Sequence, residues 1–222
     1  MTAKKRLEHG LFFRANYTYA KSIDVASGLN YAGDGGVAGA QNSQNLNSER
    51  GRSNFDIRHV FSMTFSWRLP SHHNVVLRGW QLAGTGAAYS GAPFTPLVSG
   101  ASADVAQATR PDRIGNGSLP NPSPADWFNL NAFTIVADSA FRFGNSGRNI
   151  LTGPGSVAMN LALSRNFQIL ERTRLQIRWE TFNVSNHVNF QLPADALDKA
   201  NAGTITAANA ARVMQLGARI DF

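Results

Sequence analysis

The chain has no cysteine, only four lysines, and no apolar run near the roughly 18 residues that a membrane-spanning helix needs. The missing cysteines exclude a disulfide scaffold and a thiolate metal centre. Charged residues make up only 16%, below the usual quarter for a soluble domain, so the surface is not that of a well-solvated monomer. The net charge of +7 is almost entirely arginine, because Lys4, Lys5, Lys21 and Lys199 are the only lysines. The opening MTAKKRLEHG is basic but carries no apolar stretch, so no secretory leader is expected within this sequence. What is present in quantity is glycine (20) and phenylalanine (14), in 222 residues that are 43% hydrophobic, enough for one domain.

Six segments alternate with period 2. In LFFRANYTYAK, Leu11, Phe13, Ala15, Tyr17 and Tyr19 share a face, against Phe12, Arg14, Asn16 and Thr18. In HVFSMTFSWRLP, Phe61, Met63, Phe65, Trp67 and Leu69 alternate with Ser62, Thr64, Ser66 and Arg68. The glycine-rich LRGWQLAGTGAAYSG is weaker. SVAMNLALSRN sets Val157, Met159, Leu161 and Leu163 against Ala158, Asn160, Ala162 and Ser164. RTRLQIRWETF sets Leu175, Ile177 and Trp179 against Arg174, Gln176, Arg178 and Glu180. The closing QLGARIDF sets Leu216, Ala218, Ile220 and Phe222 against Gln215, Gly217, Arg219 and Asp221. Helical periodicity is weak everywhere. DALDKANAGTITAANAAR is the best helix candidate, though Gly203 breaks it.

The connections sort into two kinds. PSHHNV and the turn around QILE are short. The stretches at roughly 22–57, 91–155 and 183–211 are long and rich in Gly, Asn, Ser and Pro. Structureless loops of this length need a reason in a compact domain. Here long and short connections alternate, so every long loop emerges on one side of the sheet. That is the asymmetry of an outer-membrane β-barrel, whose strands also have this length.

For a single amphipathic strand, an ordinary half-buried sheet is the usual account. The aromatics favour a membrane. Trp67 and Trp80 flank a short turn, with Phe222 expected at their level, and Tyr17, Tyr19 and Trp179 are expected at the loop ends. Two such belts suit the two lipid–water interfaces. Arg14, Asn16, Arg174, Arg178, Glu180 and Arg219 take the other parity and are expected to face the lumen, with Arg178 and Glu180 in an ion-pair network. Arg165 alone shares parity with the apolar Leu163, which calls for either an interfacial position or a bulge. The basic pI also raises nucleic-acid binding, but single-strand binders place aromatic and basic residues on one face, whereas here they part. No nucleic-acid partner is expected.

No enzyme, cofactor or metal is expected either. His72 and His73 are adjacent and point apart on an extended chain. His187 has no ligand-spaced partner, and GNSGRN and GPGS lack a phosphate-loop lysine and its strand-to-helix setting. The loop ATRPDRIGNGSLPNP is either a surface contact for a ligand or a solvated cover over the barrel mouth.

Taken together, GLFFRANYTYAKSID, NFDIRHVFSMTFSWRLP, GWQLAGTGAAYSGAPFTP, WFNLNAFT, FRFGNSGRN, RLQIRWETFNVSNHVNF and VMQLGARIDF resemble the C-terminal barrel portion of TonB-dependent outer-membrane receptors. The type resembled carries a carboxypeptidase-regulatory-like domain ahead of its plug. The resemblance implies an all-β antiparallel transmembrane barrel fragment of about six strands out of some 22, spanning residues 1–222 without the plug domain. KKRLEHG looks like a periplasmic turn whose preceding strand is absent. The resemblance also implies a place in the outer membrane of a Gram-negative-type bacterium, contact with membrane lipid, and nutrient uptake of an unknown substrate. TonB would be reached only through N-terminal parts not in this sequence. Gln215, Gly217, Ile220 and Phe222 resemble the terminal signal read by the outer-membrane barrel assembly machinery. The alternatives are a surface-binding or adhesive barrel without transport, and a soluble β-sheet domain.

Overall fold

The computed structural model describes residues 1–6, 10–27, 40–70, 78–99 and 109–222. Seven strands form one antiparallel sheet: β1 (Thr2–Arg6), β2 (Leu11–Tyr19), β3 (His59–Arg68), β4 (Trp80–Tyr89), β5 (Ser156–Gln168), β6 (Arg174–Phe182) and β7 (Val213–Asp221). Neighbours in sequence are neighbours in space, and among the described residues β1 and β7 each leave one edge open. The all-β expectation holds, with one strand more than alternation reveals. Lys4–Arg6 belongs to β1, with Lys4 opposite Arg14, rather than to a turn. A short charged strand carries no apolar alternation to mark it.

The six longer strands keep one register throughout. One row reads Leu11, Trp67, Leu82, Leu163, Trp179, Leu216, and the next reads Phe12, Ser66, Ala83, Ala162, Glu180, Gln215. Rows and strand ends do not run parallel. Leu11 is the first residue from the short-turn end of its strand, Trp67 the second, Leu82 the third, and Leu163, Trp179 and Leu216 the sixth. The stagger is thus five residues over five strand steps. With a rise of about 3.4 Å per residue and about 4.8 Å between strands, that is a tilt of roughly 35°. Barrel closure requires this coupling of tilt and shear.

Glycine narrows the centre of the sheet. A Cβ on Gly84 would run into the Phe65 ring and the Leu161 side chain, and one on Gly86 into Met63. The large neighbours fold over the bare backbone, so the weak alternation of β4 comes from side chains borrowed from β3 and β5.

The long connections are not structureless. Ile23–Asp24 pairs with Gly51–Arg52, Pro93–Phe94 with Leu151–Thr152, Asp112–Arg113 with Phe133–Thr134, and Ser118–Ser123 with Asp126–Phe128. They share a core of Phe94, Phe128, Ala132, Phe133 and Leu151. Phe128 meets Phe94 and Phe133 edge-on, with centroids 5.5 and 6.1 Å away. The helix candidate DALDKANAGTITAANAAR forms no helix. Two of its amides bond outward: Leu197 N donates to Leu97 O (2.8 Å) and Ile205 N to Pro124 O (2.7 Å), while Gly203 takes a φ of +78°. Docking on a neighbouring loop overrides alanine's helix preference.

Candidate functional site

The sheet separates two chemistries by parity. Arg14, Asn16, Arg174, Arg178, Glu180 and Arg219 lie on one face. Their partners are neighbours on that face. Arg178 Nε donates to Glu180 Oε1 (2.8 Å), and Gln215 Nε2 donates to the other carboxylate oxygen (2.5 Å). Arg174 Nε reaches Gln168 (3.0 Å), Gln176 reaches Asn166 (3.0 Å), and Arg219 Nε reaches Asp221 (2.7 Å). Thr64, Thr85 and Asn160 border a hollow of about 240 Å³ with Arg178 and Glu180 at its side. Gln215 is therefore tied into this polar network as well as belonging to the closing strand. His72 and His73 fall outside the described residues.

The opposite face carries Leu, Met, Phe, Ile and Val. At the loop end, Tyr17 Oη lies 2.7 Å from His59 Nδ1, and the Tyr19 ring lies 5.2 Å from the same imidazole. At the short-turn end sit Trp67 and Trp80. Trp179 does not sit at the loop end. It is fourth from that end of β6 and on the row of Trp67, and the stagger of the rows sets its height between the two groups. Phe222 follows the last paired residue, Asp221 opposite Arg174, and is almost fully exposed. Arg165 keeps its parity with Leu163, since the pairings to β4 and β6 run through it without a shift. Its guanidinium lies 4.3 Å from the Phe167 ring centroid and 5.9 Å from that of Trp80, near the short-turn end. Two ring faces thus offset the cost of a cation among apolar neighbours.

Above the sheet, the long connections are joined by buried arginines that sequence reading missed. Arg110 and Glu49 form a two-pronged pair, Nη1–Oε2 2.5 Å and Nη2–Oε1 3.0 Å. Gln41 closes the arrangement: its amide donates to Glu49 (3.0 Å), its side-chain oxygen accepts from Arg110 N (2.6 Å), and its Nε2 donates to Gly144 O (3.1 Å). Arg148 bonds Glu49 O (3.0 Å), Ser27 Oγ (2.9 Å) and the Asp24 carboxylate. Arg52 spans to Asn149 O (2.9 Å) and Leu151 O (2.6 Å). Thus FRFGNSGRN and ATRPDRIGNGSLPNP contribute partners for each other: Asp112 in the second pairs with Arg142 in the first. A buried ion pair shows in sequence only as two distant residues. The one available signal was arginine's excess over lysine, since the planar fork suits two-pronged pairing.

The third connection is fixed by asparagine. Asn189 bonds Val157 both ways, accepting from its N (2.7 Å) and donating to its O (3.0 Å). Asn183, with φ +50°, does the same to the His187 backbone (3.1 and 2.9 Å). His187 thus serves through its main chain.

Two carboxylates at one loop junction titrate in opposite senses. Hydrogen bonds from Ser99 Oγ (2.5 Å) and Ser99 N (2.8 Å) hold Asp198 down at about 2. Burial pushes Asp195 up. Asp198 therefore stabilises the junction above about pH 4 and loses this contribution as pH falls towards 2. Asp195 opposes folding when ionised, and acid relieves it. Exchange protection of the Leu97 amide, which donates to Asp195 O (2.9 Å), is expected to rise in mild acid and fall below about pH 4. Asp195→Asn should remove the rise and leave the fall; a flat profile in the native protein would contradict this assignment.

A tilted antiparallel sheet with one polar face, one apolar face and folded connections at one end is the wall of a membrane β-barrel. Residues 1–215 match the family described as outer membrane beta barrel domain, and the chain belongs to that family. Its place is the outer membrane. No curated protein and no solved structure matches the chain.

Proposed function

We propose that this chain forms the C-terminal wall and surface loops of a TonB-dependent receptor for nutrient uptake, and that it is not an enzyme. The observation that carries this reading is the seven-strand wall that, among the described residues, stays open at both edges, beneath a loop layer with its own core. Open edges are not tolerated in lipid, so further strands must close the barrel. A folded layer over the mouth presents fixed groups to a ligand, as a receptor requires. The apolar face meets lipid and the polar face lines the lumen. The closing strand, with Gln215, Gly217, Ile220 and Phe222, is what the assembly machinery reads. TonB acts through parts outside this sequence.

Site-directed cross-linking between the gene product, expressed from its own locus, and TonB tests the transport reading. Recovery of a TonB adduct is expected; folded protein in the outer membrane without any adduct would leave the adhesive barrel as the better account.

The facing has its own test. Leu161→Arg, on the apolar face in the middle of β5, is expected to cost about 2–4 kcal/mol, whereas Asn160→Arg, one residue away, should cost little. Urea unfolding in lipid vesicles measures both. Equal costs would refute the assignment of faces.

A further inference from the structure

At the loop end of β4 and β5 lies a second cavity, of about 520 Å³. Glycine creates it. A Cβ on Gly91 would collide with the Gly153 carbonyl, one on Gly153 with the Leu192 side chain, and one on Gly155 would come 2.8 Å from Tyr89 O. These three bare positions let the YSGAP and GPGS stretches pack backbone to backbone, leaving a crevice beside them. The pairing of Phe190 with Ala208, and the bond from Gln191 N to Ala207 O (3.0 Å), hold the third connection over its other side. The Asn189–Val157 double bond anchors that connection to the start of β5.

The lining is uniform in one respect: among the described residues it contains no charged side chain. That is notable in a chain of net charge +7, and contrasts with the hollow bordered by Arg178 and Glu180. Tyr89, Phe190 and Leu192 supply apolar surface, and Ser156, Gln191 and Asn209 supply neutral hydrogen-bonding groups. The amides of Gln191 and Asn209 offer both donors and acceptors. Tyr89 and Ser156 face each other across the β4–β5 pairing and share the parity of the polar face. The volume is that of a small-molecule site, and the mixture of aromatic and aliphatic walls with a few placed polar groups is what such sites use.

We propose that this crevice binds a neutral, hydroxyl-rich ligand, a short uncharged oligosaccharide, with Tyr89 stacking on a sugar ring and Gln191 and Asn209 bonding its hydroxyls. A sugar ring offers an apolar C–H face and a rim of hydroxyls that both donate and accept, which matches this lining. An anion or cation would lose its hydration and meet no countercharge. The proposal deepens the receptor reading and rests on it only for the purpose of binding.

Equilibrium binding of labelled maltotriose, cellotriose and xylotriose to outer membranes carrying the full gene product tests it, with trigalacturonate as the charged control. At least one neutral trisaccharide should bind saturably, and trigalacturonate should compete at least tenfold more weakly. Tyr89→Ala should weaken binding about tenfold and Gln191→Ala about threefold, with heat-modifiable, folded protein at native levels. If Tyr89→Ala does not assemble, the exposed Gln191→Ala carries the test. No saturable binding of any neutral trisaccharide, equal binding of trigalacturonate, or native affinity in the folded variants would overturn the proposal. TonB cross-linking with no sugar binding would reject this site and keep the receptor; sugar binding without TonB cross-linking would keep the site and reject transport.

Discussion

Arg110→Ala is expected to cost the loop layer about 3–5 kcal/mol, the usual penalty for removing one member of a buried ion pair. Arg110 is 3% exposed and Glu49 2%, so neither charge has water to fall back on. The guanidinium also donates to Ser146 O (2.8 Å), and Glu49 also accepts from Gln41 N (3.0 Å), so its loss releases three segments of chain at once. The charge left behind on Glu49 accounts for much of the cost. Replacing both partners with apolar residues, Glu49→Leu with Arg110→Met, should therefore cost less than Arg110→Ala alone. The rate of proteolysis of the 40–57 segment in intact outer membranes measures the difference. An unchanged rate in Arg110→Ala, or a double variant cleaved faster than the single, would show that this pair does not hold the layer together. The sheet beneath should stay heat-modifiable in every variant, because the hydrogen bonds of both residues go to the connections.

The sheet and the loops differed in how much of them could be read from sequence, for a physical reason. A strand declares itself through its own neighbours: Phe61, Met63 and Phe65 alternate with Ser62 and Thr64 because one face is apolar and the other is not, and the register followed that pattern from β2 to β7. The two faces were legible this way, and so was the tight turn at 169–173. β1 was not, because Lys4, Lys5 and Arg6 offer no apolar partner for alternation. The loop layer was invisible for a different reason. Its stability comes from contacts between residues far apart in sequence, such as Glu49 with Arg110 and Arg148 with Asp24, which have no period. Local propensity even pointed the wrong way at 195–212, where an alanine-rich run gave up a helix to bond with Leu97 and Pro124. The height of Trp179 depended on the stagger between strands, which no single strand can reveal.

Phe222→Ser is expected to lower the amount of folded barrel in the outer membrane about tenfold, while leaving the stability of the assembled protein unchanged. The two halves of this expectation come from the same geometry. Phe222 lies beyond the last paired residue and is 94% exposed, so its ring contributes nothing to the packing of β7 against β6. A surface change of this kind is normally worth no more than about 0.5 kcal/mol. All nine residues of β7 are exposed, and its outer edge offers unpaired backbone groups. Such an edge is suited to capture by strand addition, in which the backbone supplies affinity and alternate side chains supply specificity. Phe222 and Ile220 sit on one face of that strand, and Gln215 and Gly217 on the other. Asp221→Asn is the control. Its side chain takes the polar parity and accepts a hydrogen bond from Arg219 Nε (2.7 Å) on its own strand, so assembly should stay close to the native level. Heat-modifiable protein in the outer membrane reports assembly in cells, and the urea midpoint after refolding into detergent reports stability. Native levels of folded Phe222→Ser protein in cells would remove the recognition role. A lowered urea midpoint matching the cellular loss would show that the ring acts on stability instead.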